Sequence, residues 1–265
     1  MGKVIMFANQ KGGVGKTSSS FEVGYILSEK HKVLLVDLDA QCNLTHISTD
    51  DDAVEQSKNT KNIYTCLTGS ASFEESIVKI REKRELYLLP GSRKMLSQYF
   101  ISADDIYLLK DGMQYIPKDD YDYIIIDVGP EAGQLMTMAM LGSDYIVAVT
   151  TLSKLGYSGV VQLVADLRAG REHYKGFDVK PLGILINSAK STNVGTVNRE
   201  RYEDLAAELG AKPFKTEIKN SCVVDECKEF AMALSEYKPS HDVTKQYKTL
   251  AKEIEKRVKE DKNNG

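Results

Sequence analysis

The sequence lacks the features that would direct a chain to a membrane or to a disulfide scaffold. No apolar run approaches the roughly 18–20 residues that a membrane-spanning helix requires, and residue 3 already begins an apparent strand, without a charged-then-apolar leader. The four cysteines form no C-x-x-C pair, which favours a reduced, cytoplasmic protein. The net charge of −3 argues against a generally basic coat for nucleic acid. We therefore expect a cytoplasmic protein.

Short Val/Ile/Leu-rich runs alternate with helical patterns along the chain. The predicted strands cover residues 3–9, 32–39, 86–90, 121–128, 144–150 and 181–187. The predicted helices cover residues 17–29, 132–141, 156–174, 199–209 and about 241–260. Continuous apolar strands between helices are typical of a parallel sheet that is covered on both faces. The pattern predicts one α/β domain over residues 1–265, with a doubly wound, mostly parallel sheet and a frayed tail from about residue 258.

A glycine-rich segment, "QKGGVGKT", connects the first predicted strand to the first predicted helix. In that position glycines let backbone N–H groups converge on phosphate oxygens, and the helix adds the positive end of its dipole. Lys16 would hold the β- and γ-phosphates, and the Thr17 hydroxyl would bind Mg²⁺. The predicted nucleotide contacts are Gly12, Gly13, Val14, Gly15, Lys16, Thr17 and Ser18. The alternative is a glycine-rich turn that binds nothing.

The same segment contains a second lysine, Lys11. Gln10 stands where the ordinary pattern G-x-x-x-x-G-K-[ST] would place glycine, and K-G-G-V-G-K-T resembles the deviant phosphate loop of the ParA/MinD class of ATPases. The resemblance implies a P-loop NTPase fold, and it implies that Lys11 reaches across a dimer interface to the nucleotide of the partner subunit, as an arginine finger does. Dimerisation would then depend on nucleotide, because two facing lysines repel each other without phosphates between them. A solvated loop lysine is the alternative.

Two predicted strands end in aspartates. In "LLVDLDAQCNLT", Asp37 and Asp39 lie on the same side of a strand at its carboxyl end. This stretch resembles the first switch of the family, D-x-D-P-Q-x-N-x-T, with Ala40 in place of proline. The resemblance implies that Asp39 positions or activates the attacking water and that Asp37 supports the Mg²⁺ shell. The alternative for Asp39 is a cap on the following turn.

The stretch "YDYIIIDVGP" ends in Asp127, which occupies the position of a Walker B carboxylate. Such an aspartate contacts Mg²⁺, usually through water, because Mg²⁺ sheds its hydration shell reluctantly. The family commonly has D-x-P-P here, whereas this chain has Asp127-Val-Gly-Pro130, so the shape of the second switch is open. A strand-end cap is the alternative for Asp127.

Two further segments extend the resemblance to almost the whole chain. "PLGILIN" ends in Asn187, where related ATPases often recognise adenine with a side-chain amide; a turn asparagine is the alternative. "EIKNSCVVDECKEF" resembles the family segment I-P-R-N-x-x-x-x-E-A, with Lys219 at the arginine position, Asn220 retained and the proline missing.

The last predicted helix has an apolar and a basic side. Its apolar arc, which should pack on the sheet, consists of Val243, Tyr247, Leu250, Ile254 and Val258. Its basic arc consists of Lys245, Lys248, Lys252, Lys256 and Lys259. The separation of these lysines from the acidic residues predicts a stripe for the phosphate backbone of DNA, to which Lys190 and Lys219 could add. Solvated lysines without a ligand are the usual alternative.

The resemblance as a whole predicts a ParA-type partition ATPase. It implies ATP and Mg²⁺ as cofactors, an ATP-dependent homodimer on non-specific DNA in the nucleoid, and hydrolysis stimulated by a ParB-like centromere-binding protein. The alternatives are a positioning ATPase for a non-DNA cargo, a MinD-like membrane-cycling regulator and a metabolic enzyme that transfers a phosphoryl group to a small molecule. Membrane docking is disfavoured because "KEDKNNG", after Val258, offers no bulky apolar residue to lipid. An iron–sulfur cluster is disfavoured because no cysteine follows Asp127 closely.

Overall fold

Seven strands of the described chain form one sheet, in the order β3-β4-β2-β5-β1-β6-β7. The structure is a computed structural model and describes residues 2–50, 60–96, 103–116, 120–130, 133–189 and 193–264. The strands are β1 (Lys3–Ala8), β2 (Val33–Leu38), β3 (Val78–Lys79), β4 (Leu86–Leu89), β5 (Tyr123–Val128), β6 (Tyr145–Thr150) and β7 (Lys180–Ile186). Every neighbouring pair is parallel except β3 and β4, which are antiparallel. The predicted doubly wound, mostly parallel sheet is confirmed.

Helices follow most of the strands. Those in the described residues are α1 (Lys16–Leu27), α2 (Asn43–Ser48), α3 (Ile63–Leu67), α4 (Phe73–Ser76), α5 (Leu108–Gly112), α6 (Gln134–Leu141), α7 (Lys154–His173), α8 (Asn193–Glu208), α9 (Val223–Glu229), α10 (Leu234–Tyr237) and α11 (Asp242–Asn264). Two 3₁₀ turns lie at Arg93–Leu96 and Ala103–Tyr107. None of the helices described is long and apolar enough to cross a membrane.

The sheet has an apolar core on each face. Along β1, Met6 belongs to one core, whereas Ile5 and Phe7 belong to the other. This alternation follows from strand geometry, because successive side chains point to opposite faces. Burial on both faces explains why the strands are apolar throughout.

The apolar arc of α11 packs beside α1 on the core that contains Ile5 and Phe7. All five residues of the predicted arc are at most 2% exposed. The helical period of the sequence therefore identified the buried side of this helix correctly.

Helix α11 continues to Asn264, and fraying of the tail from about residue 258 stays a prediction. Val258 is buried, and Asp261 accepts hydrogen bonds from the Tyr145 hydroxyl and the Lys180 ammonium, both at 2.9 Å. These bonds connect the end of α11 to β6 and β7, which are distant in sequence.

All seven strands, from residue 3 to residue 186, belong to one sheet. The proposal of a single domain over residues 1–265 is compatible with this sheet.

Candidate nucleotide-binding site

The carboxyl ends of the parallel strands converge on a cavity of about 430 Å³. It is lined by the glycine-rich loop and the start of α1, by Asp39 and the segment after β2, by Pro130 after β5, and by α9. Open parallel sheets place their ligand sites at this edge. The cavity has the composition of a phosphate site, with loop N–H groups on one side and carboxylates on the other.

The glycine-rich loop needs its glycines for backbone conformation and for space. Gly13 and Gly15 have φ angles of +74° and +91°, in the left-handed region that side chains disfavour. A Cβ on Gly15 would lie 1.9 Å from Nδ2 of Asn187, and that same Nδ2 donates a 2.8 Å hydrogen bond to the Val14 carbonyl. Asn187 thus supports the loop from β7. Its contact with adenine stays a prediction.

Lys16 and Lys11 occupy opposite environments. Lys16 is buried, and its Nζ donates to the Lys11 carbonyl at 3.4 Å. Burial lowers the pKa of the Lys16 ammonium, and the carboxylates of Asp127 and Asp39 oppose that change. Phosphate oxygens would supply further negative charge to this cation.

The Lys11 side chain is exposed. Its backbone N–H donates to Asn9 Oδ1 at 2.8 Å, but its ammonium makes no hydrogen bond or ion pair with any residue that the structure describes. The loop therefore presents one buried cation to its own cavity and one exposed cation to the outside.

Asp37 and Asp127 face each other across neighbouring strands, since they are paired in the register of β2 and β5. Asp37 Oδ2 accepts bonds from the Thr45 N–H at 2.8 Å and the Thr45 hydroxyl at 2.6 Å, and Oδ1 accepts from the Asp39 N–H at 3.2 Å. Burial raises the pKa of Asp37 to about 6 despite these bonds. Asp37 therefore holds the loop after β2, and its support of the Mg²⁺ shell stays a prediction.

Asp127 has one satisfied and one unsatisfied oxygen. Oδ1 accepts from the Ser20 hydroxyl at 3.2 Å, whereas Oδ2 is buried without a hydrogen-bond partner among the described residues. Burial, together with the charge of Asp37, raises the pKa of Asp127, and the Thr17 hydroxyl and the Lys16 ammonium oppose this. A buried carboxylate that has one oxygen without a partner and interacts with a threonine hydroxyl fits a hard cation such as Mg²⁺. Thr17 and Asp127 are the residues that would hold it.

Asp39 lines the cavity close to Gly129, which follows β5. It is 7% exposed, and its Oδ1 accepts from the Gln41 N–H at 2.9 Å. A Cβ on Gly129 would lie 3.0 Å from that same Oδ1. Glycine at the position where the resemblance expects proline therefore leaves room for the Asp39 carboxylate.

Sequence reasoning missed three of the residues that line the cavity. Ile47 lies on α2, and Asp225 and Lys228 lie on α9, where they form an ion pair at 2.9 Å. A signal for one of them exists, because Asp225 stands at the acidic position of the segment compared with I-P-R-N-x-x-x-x-E-A. Asp225 is far from the phosphate loop in sequence, so the sequence alone did not show that both line one cavity.

The lysines predicted to bind DNA divide into paired and unpaired groups. Lys245 pairs with Asp242 at 3.1 Å, Lys256 with Glu260 at 3.6 Å and Lys259 with Glu255 at 2.8 Å. Lys248 and Lys252 make no ion pair within the described residues.

Lys219 is exposed and lies near the start of α11, because its N–H donates to the side-chain amide oxygen Oε1 of Gln246 at 2.9 Å. Lys190 lies outside the described residues. The structure thus brings Lys219 next to the basic arc of α11, and the DNA-binding role of these lysines stays a prediction.

A family model and curated relatives both match most of the chain. The family model described as an AAA domain matches residues 2–176. The chain is 29% identical over 259 residues to the sporulation initiation inhibitor protein Soj of Bacillus subtilis, covering 96% of this chain and 98% of that protein. It is 25% identical to the chromosome partitioning protein ParA of Myxococcus xanthus, covering 97% and 89% of the two chains.

Solved structures share the fold at low sequence identity. A complex of Cyanothece McdA with ATP superposes with a TM-score of 0.81 at 19% identity, covering 96% of both chains. A putative plasmid partition protein from Borrelia burgdorferi bound to AMPPNP has a TM-score of 0.78 at 21% identity, covering 98% of this chain and all of that chain. Both of those proteins carry an adenine nucleotide.

Proposed function

The chain belongs to the ParA/Soj class of partition ATPases, and from that premise we propose that it segregates DNA as an ATP-dependent dimer. The supporting observation is the contrast between the two lysines of the phosphate loop. Lys16 is buried beside Asp127 and Asp39, whereas the Lys11 ammonium is exposed and has no described partner. One cation serves the subunit's own nucleotide, and the other serves a second copy.

The residues around the cavity have different roles in the hydrolysis of ATP. Loop N–H groups and Lys16 hold the phosphates, and Asn187 keeps the loop in shape. Mg²⁺, held by Thr17 and Asp127, would neutralise charge on the β- and γ-phosphates. Asp39 lines the same cavity, where it would orient the attacking water and accept its proton. Catalysis of this kind depends on positioning and on positive charge, so slow turnover without a partner is expected.

One subunit brings the Lys16 ammonium to the phosphates of its own nucleotide. The Lys11 ammonium of the second copy adds a further positive charge there. A cation delivered to the phosphates of the partner lowers the electrostatic cost of developing charge, as an arginine finger does. Without nucleotide, two such lysines would face each other and repel, so the dimer would form only when ATP is bound.

The test measures mass in solution with and without ATP, in an Asp39→Ala background that blocks turnover. The parent should be a monomer without nucleotide and a dimer with ATP. Lys11→Ala should stay monomeric while it still binds ATP, and Lys30→Ala, which removes an exposed lysine elsewhere, should behave as the parent does. ATP-bound dimers of Lys11→Ala would refute the role of Lys11 in trans.

The dimer would bind DNA through Lys248, Lys252 and Lys219. Lys248 and Lys252 have no described ion-pair partner and Lys219 lies near the start of the same helix, so their charge is available to phosphates. A dimer presents two such surfaces, and this sequence-independent binding weakens steeply with salt.

Retention on arbitrary duplex DNA with ATP tests this surface. The double variant Lys248→Glu/Lys252→Glu should lose retention at salt concentrations where the parent binds, with ATP affinity unchanged. Lys30→Glu/Lys83→Glu makes the same charge change outside α11 and should retain binding. Undiminished retention by the α11 variant would remove this surface, and no retention by the parent would favour a non-DNA cargo. Stimulation of turnover by a ParB-like protein is the remaining part of the proposal.

A further inference from the structure

Helix α7 packs directly against the segment that carries Lys11. The Asn9 side chain, two residues before Lys11, donates to the Val149 carbonyl at 2.7 Å and to the Gly156 carbonyl at 3.4 Å. Its Oδ1 accepts the Lys11 N–H. Asn9 therefore joins the end of β6, the first turn of α7 and the backbone of Lys11.

A second connection runs from the next residue to the middle of α7. Gln10 Nε2 donates to Oδ2 of Asp166, and Gln162 Nε2 donates to Oδ1 of the same carboxylate at 3.2 Å. Both carboxylate oxygens are thus engaged, one by the loop and one by the helix. The bond from Gln162 fixes the direction in which Asp166 accepts from Gln10.

A third observation concerns the space between the helix and the loop. A Cβ on Gly159 would lie 2.0 Å from Asn9 Oδ1 and 3.2 Å from the Cβ of Lys11. Only glycine allows α7 to come so close at this point. Contacts at Gly156, Gly159 and Asp166 therefore hold residues 9–11 along three turns of one helix.

We propose that Asp166 is a positioning residue for Lys11, acting through Gln10. This inference rests on the proposed role of Lys11 in trans. The Lys11 ammonium has no described partner in its own subunit, so its direction is set by the backbone from which it extends. A long lysine side chain on a loose backbone would lose more conformational freedom when it reaches the second copy. Anchoring the preceding residue on α7 reduces that loss before the subunits meet.

The experiment compares dimer dissociation constants with ATP by sedimentation, in the Asp39→Ala background. Asp166→Ala removes the acceptor of Gln10 and should weaken dimerisation about tenfold, because bonds to charged groups are among the stronger ones. Affinity of the monomer for ADP should change less than twofold, since Lys16 and the loop glycines remain. Arg168→Ala, on the exposed side of the same helix and paired only with Glu208 among the described residues, is the matched control and should dimerise as the parent does.

A double variant that moves the carboxylate from position 166 to position 10 tests whether dimerisation can be rescued. Gln10→Glu alone places two carboxylates together and should weaken dimerisation at least as much as Asp166→Ala. Adding Asp166→Asn restores one donor and one acceptor, because the asparagine amide can donate to the new glutamate while its oxygen still accepts from Gln162. The double variant should dimerise within about threefold of the parent, a recovery that general damage to the fold would not give.

The outcomes separate this inference from the proposed function. If Lys11→Ala dimerises normally, the role of Lys11 in trans fails. If Lys11→Ala prevents dimerisation but Asp166→Ala does not, the positioning role of Asp166 is overturned while the proposed function stands. Equal losses of ADP affinity and dimerisation in Asp166→Ala, or no rescue by the double variant, would also overturn it.

Discussion

Replacing Glu22 with glutamine should make the stability of this protein less sensitive to pH. Glu22 lies on α1, one turn after Ser18, the last of the nucleotide contacts predicted in that helix, and is 2% exposed. Its Oε1 accepts the Leu234 N–H at 2.9 Å, and its Oε2 is buried without a partner among the described residues. Burial raises the pKa of Glu22 from 4.5 to about 8, against the opposing effect of the bond from Leu234.

The direction of the pH dependence follows from the number of protons that Glu22 binds in the folded and unfolded states. At pH 7 the folded carboxyl is mostly protonated and the unfolded one is ionised, so unfolding releases a proton. Stability is therefore lost as pH rises from about 4.5 to about 8. One pKa unit corresponds to about 1.4 kcal/mol, which gives a penalty of about 3 kcal/mol at pH 7 and about 1 kcal/mol at pH 5. Glutamine cannot ionise and removes this dependence.

Thermal unfolding without nucleotide, measured from pH 5 to pH 8.5, tests the reasoning. At roughly 2 °C per kcal/mol for a chain of this size, the Tm of Glu22→Gln relative to the parent should rise by about 5 °C between pH 5 and pH 7. Glu29→Gln, an exposed glutamate just beyond the same helix, should show no such trend. Parallel Tm curves for Glu22→Gln and the parent would refute a buried, neutral Glu22, whatever the offset between them.

Three further predictions concern the nucleotide site. Asn187→Ala removes the donor to the Val14 carbonyl, so ADP affinity measured by calorimetry should fall about fivefold. Unchanged affinity would show that the phosphate loop keeps its conformation without the bond from Asn187. Gly129→Ala crowds Asp39 Oδ1, so the rate of phosphate release from ATP should fall roughly tenfold, while ATP affinity should stay within twofold. An undiminished rate would show that the space beside Gly129 does not matter for turnover. Asp127→Asn keeps the shape but loses the charge, so added Mg²⁺ should no longer strengthen binding of a fluorescent ATP analogue; a retained Mg²⁺ effect would exclude Asp127 as a metal residue.

Periodic and contiguous features were predictable from the sequence. The apolar runs identified the six longer strands to within two residues at each end, because a strand buried on both faces must be apolar throughout. The order K-G-G-V-G-K-T, followed by two aspartate-terminated strands, identified the phosphate loop and its carboxylates. Short elements such as β3 and α9 have too few residues to show a period, so they were missed.

The sequence by itself determined the parallel sheet, the phosphate loop and the carboxylates at the strand ends, because these depend on neighbouring residues and on alternation along one segment. The tertiary structure decided which distant residues meet. It placed Asn187 under Val14, Asp225 in the cavity and Asp166 beside Gln10. Such contacts depend on how helices pack across the sheet, and side-chain spacing along a single segment carries no information about that packing.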